Sequence, residues 1–160
     1  MSWHRPLRWA VVFAVGVSAC SDDAAAPEED PLARFAGSWN ASSFVYTSVA
    51  DPNLSIPVLL VVPNSSVAVV VAADGQFVAS LNLGPQTAGE TVDIPGTIEH
   101  EGDDRITVTF AENPFFSQPL DVTYAFETEN TLSWQALASF DFNQDGTPTP
   151  AILTVVFSRI

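Results

Sequence analysis

An all-β fold, an eight-stranded antiparallel up-and-down barrel, is what this sequence predicts, and three observations carry that expectation. Apolar and polar residues alternate with period two in one segment after another from Arg34 onward. Short connections bearing Gly, Asp and Asn separate many of these segments. No segment shows a sustained helical period flanked by caps.

The segments can be taken in order. SWNASSFVYT, from Ser38, opens the series, and SSVAVVVA (65–72) follows. Phe77, Ala79, Leu81 and Leu83 then alternate with Val78, Ser80 and Asn82. Val92, Ile94, Gly96 and Ile98 alternate with Asp93, Pro95, Thr97 and Glu99. Ile106, Val108 and Phe110 give the fifth apolar face, and Leu120, Val122, Tyr124 and Phe126 the sixth. Leu132, Trp134, Ala136, Ala138 and Phe140 form the seventh, and AILTVVFSRI the last. Asp74-Gly75 is a two-residue hairpin signal, with Gly102-Asp103 and Glu129-Asn130 as further tight turns. Strands joined in sequence make a meander, and closing it removes the edges that so much valine would otherwise expose. A two-sheet sandwich is the competitor, and its crossings need longer connections.

Two connections are longer. Residues 51–64 are apolar but broken by Pro52, Pro57 and Pro63, which disfavour a central strand. Residues 56–62 stay open as a ninth strand, a lid or part of strand two. Residues 112–119 set Phe115 and Phe116 between Pro114 and Pro119. Leu59, Leu60, Phe115 and Phe116 are therefore the candidate portal residues of such a barrel.

Charge narrows the partners. All 19 acids follow Cys20, where only Arg34, Arg105 and Arg159 oppose them, so this part carries a net −16. There is no lysine in the chain. Such a surface repels nucleic acid and anionic headgroups. The plainest role of the acids is solubility, and a divalent cation or a basic protein face stays compatible with them.

Arg5 and Arg8 precede the apolar run WAVVFAVGV, which is too short to span a bilayer as a mature helix, and VSAC ends at Cys20. This resembles the bacterial lipoprotein signal, with Val17 standing where leucine is commonest. The resemblance implies cleavage after residue 19, palmitate-type acylation of Cys20 and an envelope lipoprotein, outer-membrane anchored on the periplasmic or surface side. Cys20 is also the only cysteine, so no disulfide forms within the chain. Acyl chains contribute about 0.8 kcal/mol per buried methylene, enough to hold a protein without a spanning segment. The expected organisation is a signal peptide (1–19), an acidic tether (20–33) and a barrel domain (34–160).

GSW at Gly37–Trp39 and VFSRI at the last strand are similar to lipocalins, a resemblance that also takes in FDFNQDGTPTPAIL and covers roughly 32–160. The family's other motifs have no clear counterpart. The resemblance implies a barrel whose first and last strands pair, with Trp39 sealing one end beneath the Arg159 guanidinium. It also implies carriage of a small hydrophobic ligand. A cation over an indole face contributes about 0.5 to 2 kcal/mol.

Catalysis is not expected. His100 is the only histidine after Cys20 and stands at an acidic turn, and the serines show no nucleophile elbow. Asp141, Asn143, Asp145 and Gly146 match the first half of a calcium loop, so calcium is a weak candidate ligand. Position twelve of that loop is Ile152, which offers no carboxylate, and Asp145-Gly146 also reads as hairpin chemistry. No other cofactor is expected. The alternation puts Phe77, Leu81, Phe110, Tyr124, Phe126 and Trp134 on the inner face, as candidate ligand contacts. Ala79, Gly96, Ala136 and Ala138 would leave room among them, and Tyr124 or Trp134 would supply a polar handle. Eight strands enclose either a packed core or one small ligand. Two readings follow: a monomeric carrier of a small hydrophobic molecule, or a packed barrel that binds another envelope protein through its loops or acidic face.

Overall fold

The strand order of the computed structural model, which describes residues 30–111 and 119–160, is a sequential meander closed on itself. Its strands are β1 (Gly37–Ser48), β2 (Ser55–Pro57), β3 (Ser66–Val71), β4 (Gln76–Asn82), β5 (Val92–Gly102), β6 (Arg105–Phe110), β7 (Leu120–Thr128), β8 (Thr131–Phe140) and β9 (Thr149–Arg159). All pairings are antiparallel. The β1–β9 ladder, from Trp39↔Arg159 to Ser48↔Ala151, closes eight of the strands into a barrel. This is the expected architecture, and no sandwich forms.

The proline-broken segment resolves into a short strand and one helical turn. β2 pairs with Val45–Thr47 on the edge of β1 whose first four residues pair with β3. A single helical turn, α1 (Val58–Val61), carries the chain between them. Pro57 has no N–H to continue a ladder, which ends β2 there. The ninth strand left open by the sequence is therefore only three residues long.

A bulge in β1 sets which side chains point inward. The register shifts between Ala41 and Ser43. Trp39 is buried before the shift, and Phe44 and Ser48 after it, so the inward parity changes from odd to even. One extra residue in a strand does this to every side chain beyond it.

The expected tether boundary at residue 33 falls inside the folded unit. Pro31–Arg34 form a 3₁₀ turn, Asp30 Oδ1 accepts from Leu32 N at 2.9 Å, and Leu32 packs on the core. Phe35, which follows, has none of its surface exposed.

Gly96 differs from its expected role as a space-giving residue. It pairs with Phe77 on one side and Phe110 on the other. Those two rings meet edge to face above it, 5.5 Å between centroids. A Cβ at Gly96 would lie 2.4 Å from both Phe77 Cζ and the Thr109 carbonyl oxygen. The glycine gives its room to the Phe77 ring. Gly96→Ala is expected to destabilise the fold by about 1 to 3 kcal/mol through overpacking, read as a lower urea midpoint at constant slope.

Candidate functional site

The sequential hairpins give the barrel two unlike ends. One gathers the start of β1, the end of β9 and the β3–β4, β5–β6 and β7–β8 turns. Phe35 plugs it from inside. Its carbonyl accepts the Trp39 Nε1 proton at 2.7 Å, and its ring meets Tyr124 at 4.8 Å and Phe126 at 5.1 Å. Arg159 closes over the plug. Its guanidinium carbon lies 4.4 Å from the Trp39 ring centre, Nη1 donates to the Ala36 carbonyl and Nη2 to the Arg34 carbonyl. Gly37, at φ +134°, lets Arg159 pass: a Cβ there would stand 3.3 Å from Nη1. The Trp39–Arg159 pair expected from the sequence is therefore assembled as a seal. Arg34 adds a second cation, 4.1 Å above the Phe126 ring.

Tyr124 and Phe126 belong to this seal. They do not line the main cavity, where the alternation had placed them. The Tyr124 hydroxyl donates to the Asp103 carbonyl at 3.0 Å and lies 3.3 Å from His100 Nε2. His100 Nδ1 accepts from Gly102 N, so this histidine is tied into the β5–β6 turn. Burial raises the Tyr124 pKa; Arg34 opposes the rise, while Asp104 and Asp103 add to it.

Above the seal lies a cavity to which every barrel strand except β5 contributes. The space open to the centre of a water-sized sphere is about 60 Å³, inside an envelope of about 650 Å³ that includes solvent at the mouth. The smaller figure sets what can be enclosed. One water needs about 10 to 15 Å³ on that measure and a benzene-holding cavity about 150 Å³, so the enclosed space is less than a single ring needs, and a ring-sized ligand would extend into the mouth. Phe77, Leu81, Phe110 and Trp134 line it as expected, with Ala79 and Ala136 supplying the room. Ala138 packs against the core without lining the cavity. The lining residues that sequence reasoning missed include Phe44, Val155 and Phe157. The bulge in β1 hid Phe44, whereas the period of β9 was there to be read.

The opposite end is where α1, the 3₁₀ turn Gly84–Thr87 and the β8–β9 connection gather. Leu59 packs on the core, while Leu60 is 84% exposed. Phe115 and Phe116 lie outside the described residues, as does Cys20. An aromatic series unforeseen from the sequence flanks this end. Phe44 meets Tyr46 at 5.5 Å, Tyr46 stacks on Phe140 at 4.5 Å, and Phe140 meets Phe142 at 5.1 Å. Arg34, Arg105 and Arg159 all sit at the sealed end, whereas Asp51, Glu90, Asp121, Asp141 and Asp145 lie in or beside connections at the mouth. Among the described residues the mouth has no basic side chain.

The calcium candidate does not assemble as a cage. Asp141 Oδ1 accepts from Asp145 N and Oδ2 from Gly146 N, while Asp145 Oδ1 accepts from Thr147 N. Asn143 is exposed in the same loop. The two carboxylates brace the loop's own backbone, in the manner of Asx turns. Among the described residues no three His, Cys, Asp or Glu side chains converge to hold a metal ion, and no helix is long and apolar enough to cross a membrane. Compared with known proteins, the chain matches no protein-family model and no curated protein sequence.

Two outcomes check this geometry. Arg159→Ala is expected to cost about 1.5 to 3 kcal/mol in urea denaturation, from two charge-assisted hydrogen bonds and the indole contact. Arg159→Lys should recover less than half, because an ammonium cannot make the forked contact. Tyr46 supplies the second. Burial pushes its pKa up to about 12 from 10.0, so the fold holds the proton that the unfolded chain releases. Stability should be unaffected by this group below pH 10 and then fall by about 2 to 3 kcal/mol as pH rises to 12. Tyr46→Phe should remove that component of the alkaline loss, measured by denaturation at each pH.

Proposed function

We propose that this chain is a membrane-anchored envelope lipoprotein that binds or carries a small hydrophobic molecule inside its barrel. The apolar cavity between the Phe35–Trp39 seal and the opposite mouth is the single observation that carries the reading. The driving force is burial, about 25 cal/mol for each square ångström of apolar surface removed from water. The walls are held by the β-ladders, so little ordering is left for a ligand to impose. The anchor rests on the lipoprotein-like leader and Cys20, and the acidic surface is consistent with a monomer that stays off anionic lipid. Nothing in the site calls for chemistry on the ligand, and the reading is of a binder, not an enzyme.

A second reading, a structural lipoprotein that binds another envelope protein, is favoured by one observation. Leu137, 72% exposed on the outer face of β8, pairs with the exposed Ile152 of β9. Exposed apolar pairs of this kind contribute to protein contacts.

Carriage is tested by thermal denaturation of the chain with a panel of single-ring aromatic compounds and short-chain ketones and alkanols. A ligand at a hundred times its Kd is expected to stabilise the fold by about 2.7 kcal/mol. Ala136→Leu, which puts a larger side chain into the cavity, should abolish the shift while preserving the fold. A panel without one saturable shift would remove the carrier reading.

A further inference from the structure

Trp134 holds the one polar side-chain atom among the cavity-lining residues, and that atom is unpaired. Its indole Nε1 is buried with no hydrogen-bond partner, the only such side-chain atom among the described residues. A buried donor left in this state costs stability, and the usual remedy is a water. Water is poorly served here. It needs two to four polar partners, and the lining offers this single donor. Trp39 shows the contrast, for its Nε1 donates to a backbone carbonyl at 2.7 Å.

From this we infer that the ligand is an uncharged apolar compound bearing one hydrogen-bond-acceptor oxygen, and that Trp134 Nε1 is the donor that holds it. The inference rests on the carrier reading and narrows it to a chemical class: ketones, esters, ethers and their like. Trp134 stands between the main cavity and a smaller space of about 10 Å³ that it shares with Phe35, Trp39 and Leu132. The N–H is covered in the ligand-free barrel, so holding a ligand oxygen requires the indole ring to turn toward the main cavity. The Phe157 ring, 5.0 Å away and edge to face, bounds that movement. Anions are disfavoured twice. No cation lines the cavity, and the described mouth carries only acids while the three described arginines, Arg34, Arg105 and Arg159, sit at the sealed end. A carboxylate would have to bury its charge unpaired.

Acetophenone, α-methylstyrene and benzoate share one shape and differ in the group offered to the indole. Affinities for the wild-type chain and for Trp134→Phe, by calorimetry at pH 7, form a cycle that cancels the compounds' different hydration. Trp134→Phe is expected to weaken acetophenone about 3- to 10-fold and to leave α-methylstyrene within about twofold. Benzoate should show no saturable binding. In the wild-type chain, acetophenone should move the Trp134 indole ¹H–¹⁵N resonance downfield and α-methylstyrene should not, a readout independent of how well the variant folds. Equal effects of Trp134→Phe on the ketone and the alkene, or benzoate binding as tightly as the ketone, would overturn this inference and leave carriage standing. Failure of all three compounds to bind would overturn this inference, while carriage itself falls only if the wider panel also gives no saturable shift.

Discussion

The seam between β1 and β9 is the constraint on which the rest of the molecule depends. A meander of eight strands has two edges, and pairing them turns an aggregation-prone sheet into a barrel. The seam begins at Trp39↔Arg159 and runs the length of both strands. At that first pair the side chains also close the end: the guanidinium covers the indole and takes two carbonyls from the chain leading into β1. Those carbonyls belong to a segment that no ladder reaches, so Arg159 satisfies polar groups and fastens the plug at once. The indole N–H fixes Phe35 from the other side. Closure and sealing are one arrangement.

A sealed end makes the cavity directional. Phe35, Trp39, Tyr124 and Phe126 packed together close the cavity below, and α1 and the aromatic series from Phe44 to Phe142 lie above it. The basic side chains follow the same polarity. Arginines are used at the sealed end, where they cover aromatic faces and cap carbonyls, and the mouth is left with acids. Interior volume comes from small residues only where no ring moves in. Ala79 and Ala136 leave space, whereas the Cβ missing at Gly96 is replaced by the Phe77 ring.

Much of this was legible in the residues. The period-two alternation located all eight barrel strands, because each has one face in the core and one in water. Trp39 and Arg159 announced themselves by type and place, at the first and last strands. Other features were hidden for identifiable reasons. Tyr124 and Phe126 alternate correctly, but alternation gives the face of a strand and not its height in the barrel, so they were assigned to the cavity instead of the seal. The β1 bulge moved Phe44 onto the inner face against the period. The Asp141–Asp145 pattern resembled a cation loop because carboxylates at alternate positions suit either a metal or backbone N–H groups, and here they meet the backbone.

The amino-acid sequence by itself determined the strands, their order and the identity of the closing pair, since these rest on local periodicity and on residues whose chemistry admits few uses. Tertiary structure alone decided how large the interior is, which small residues keep it open, and that the Trp134 N–H is left without a partner. Those properties depend on the stagger of strands around the barrel and on which rings lean across a neighbour. Distances between residues far apart in the chain set them, and no window of sequence contains those distances.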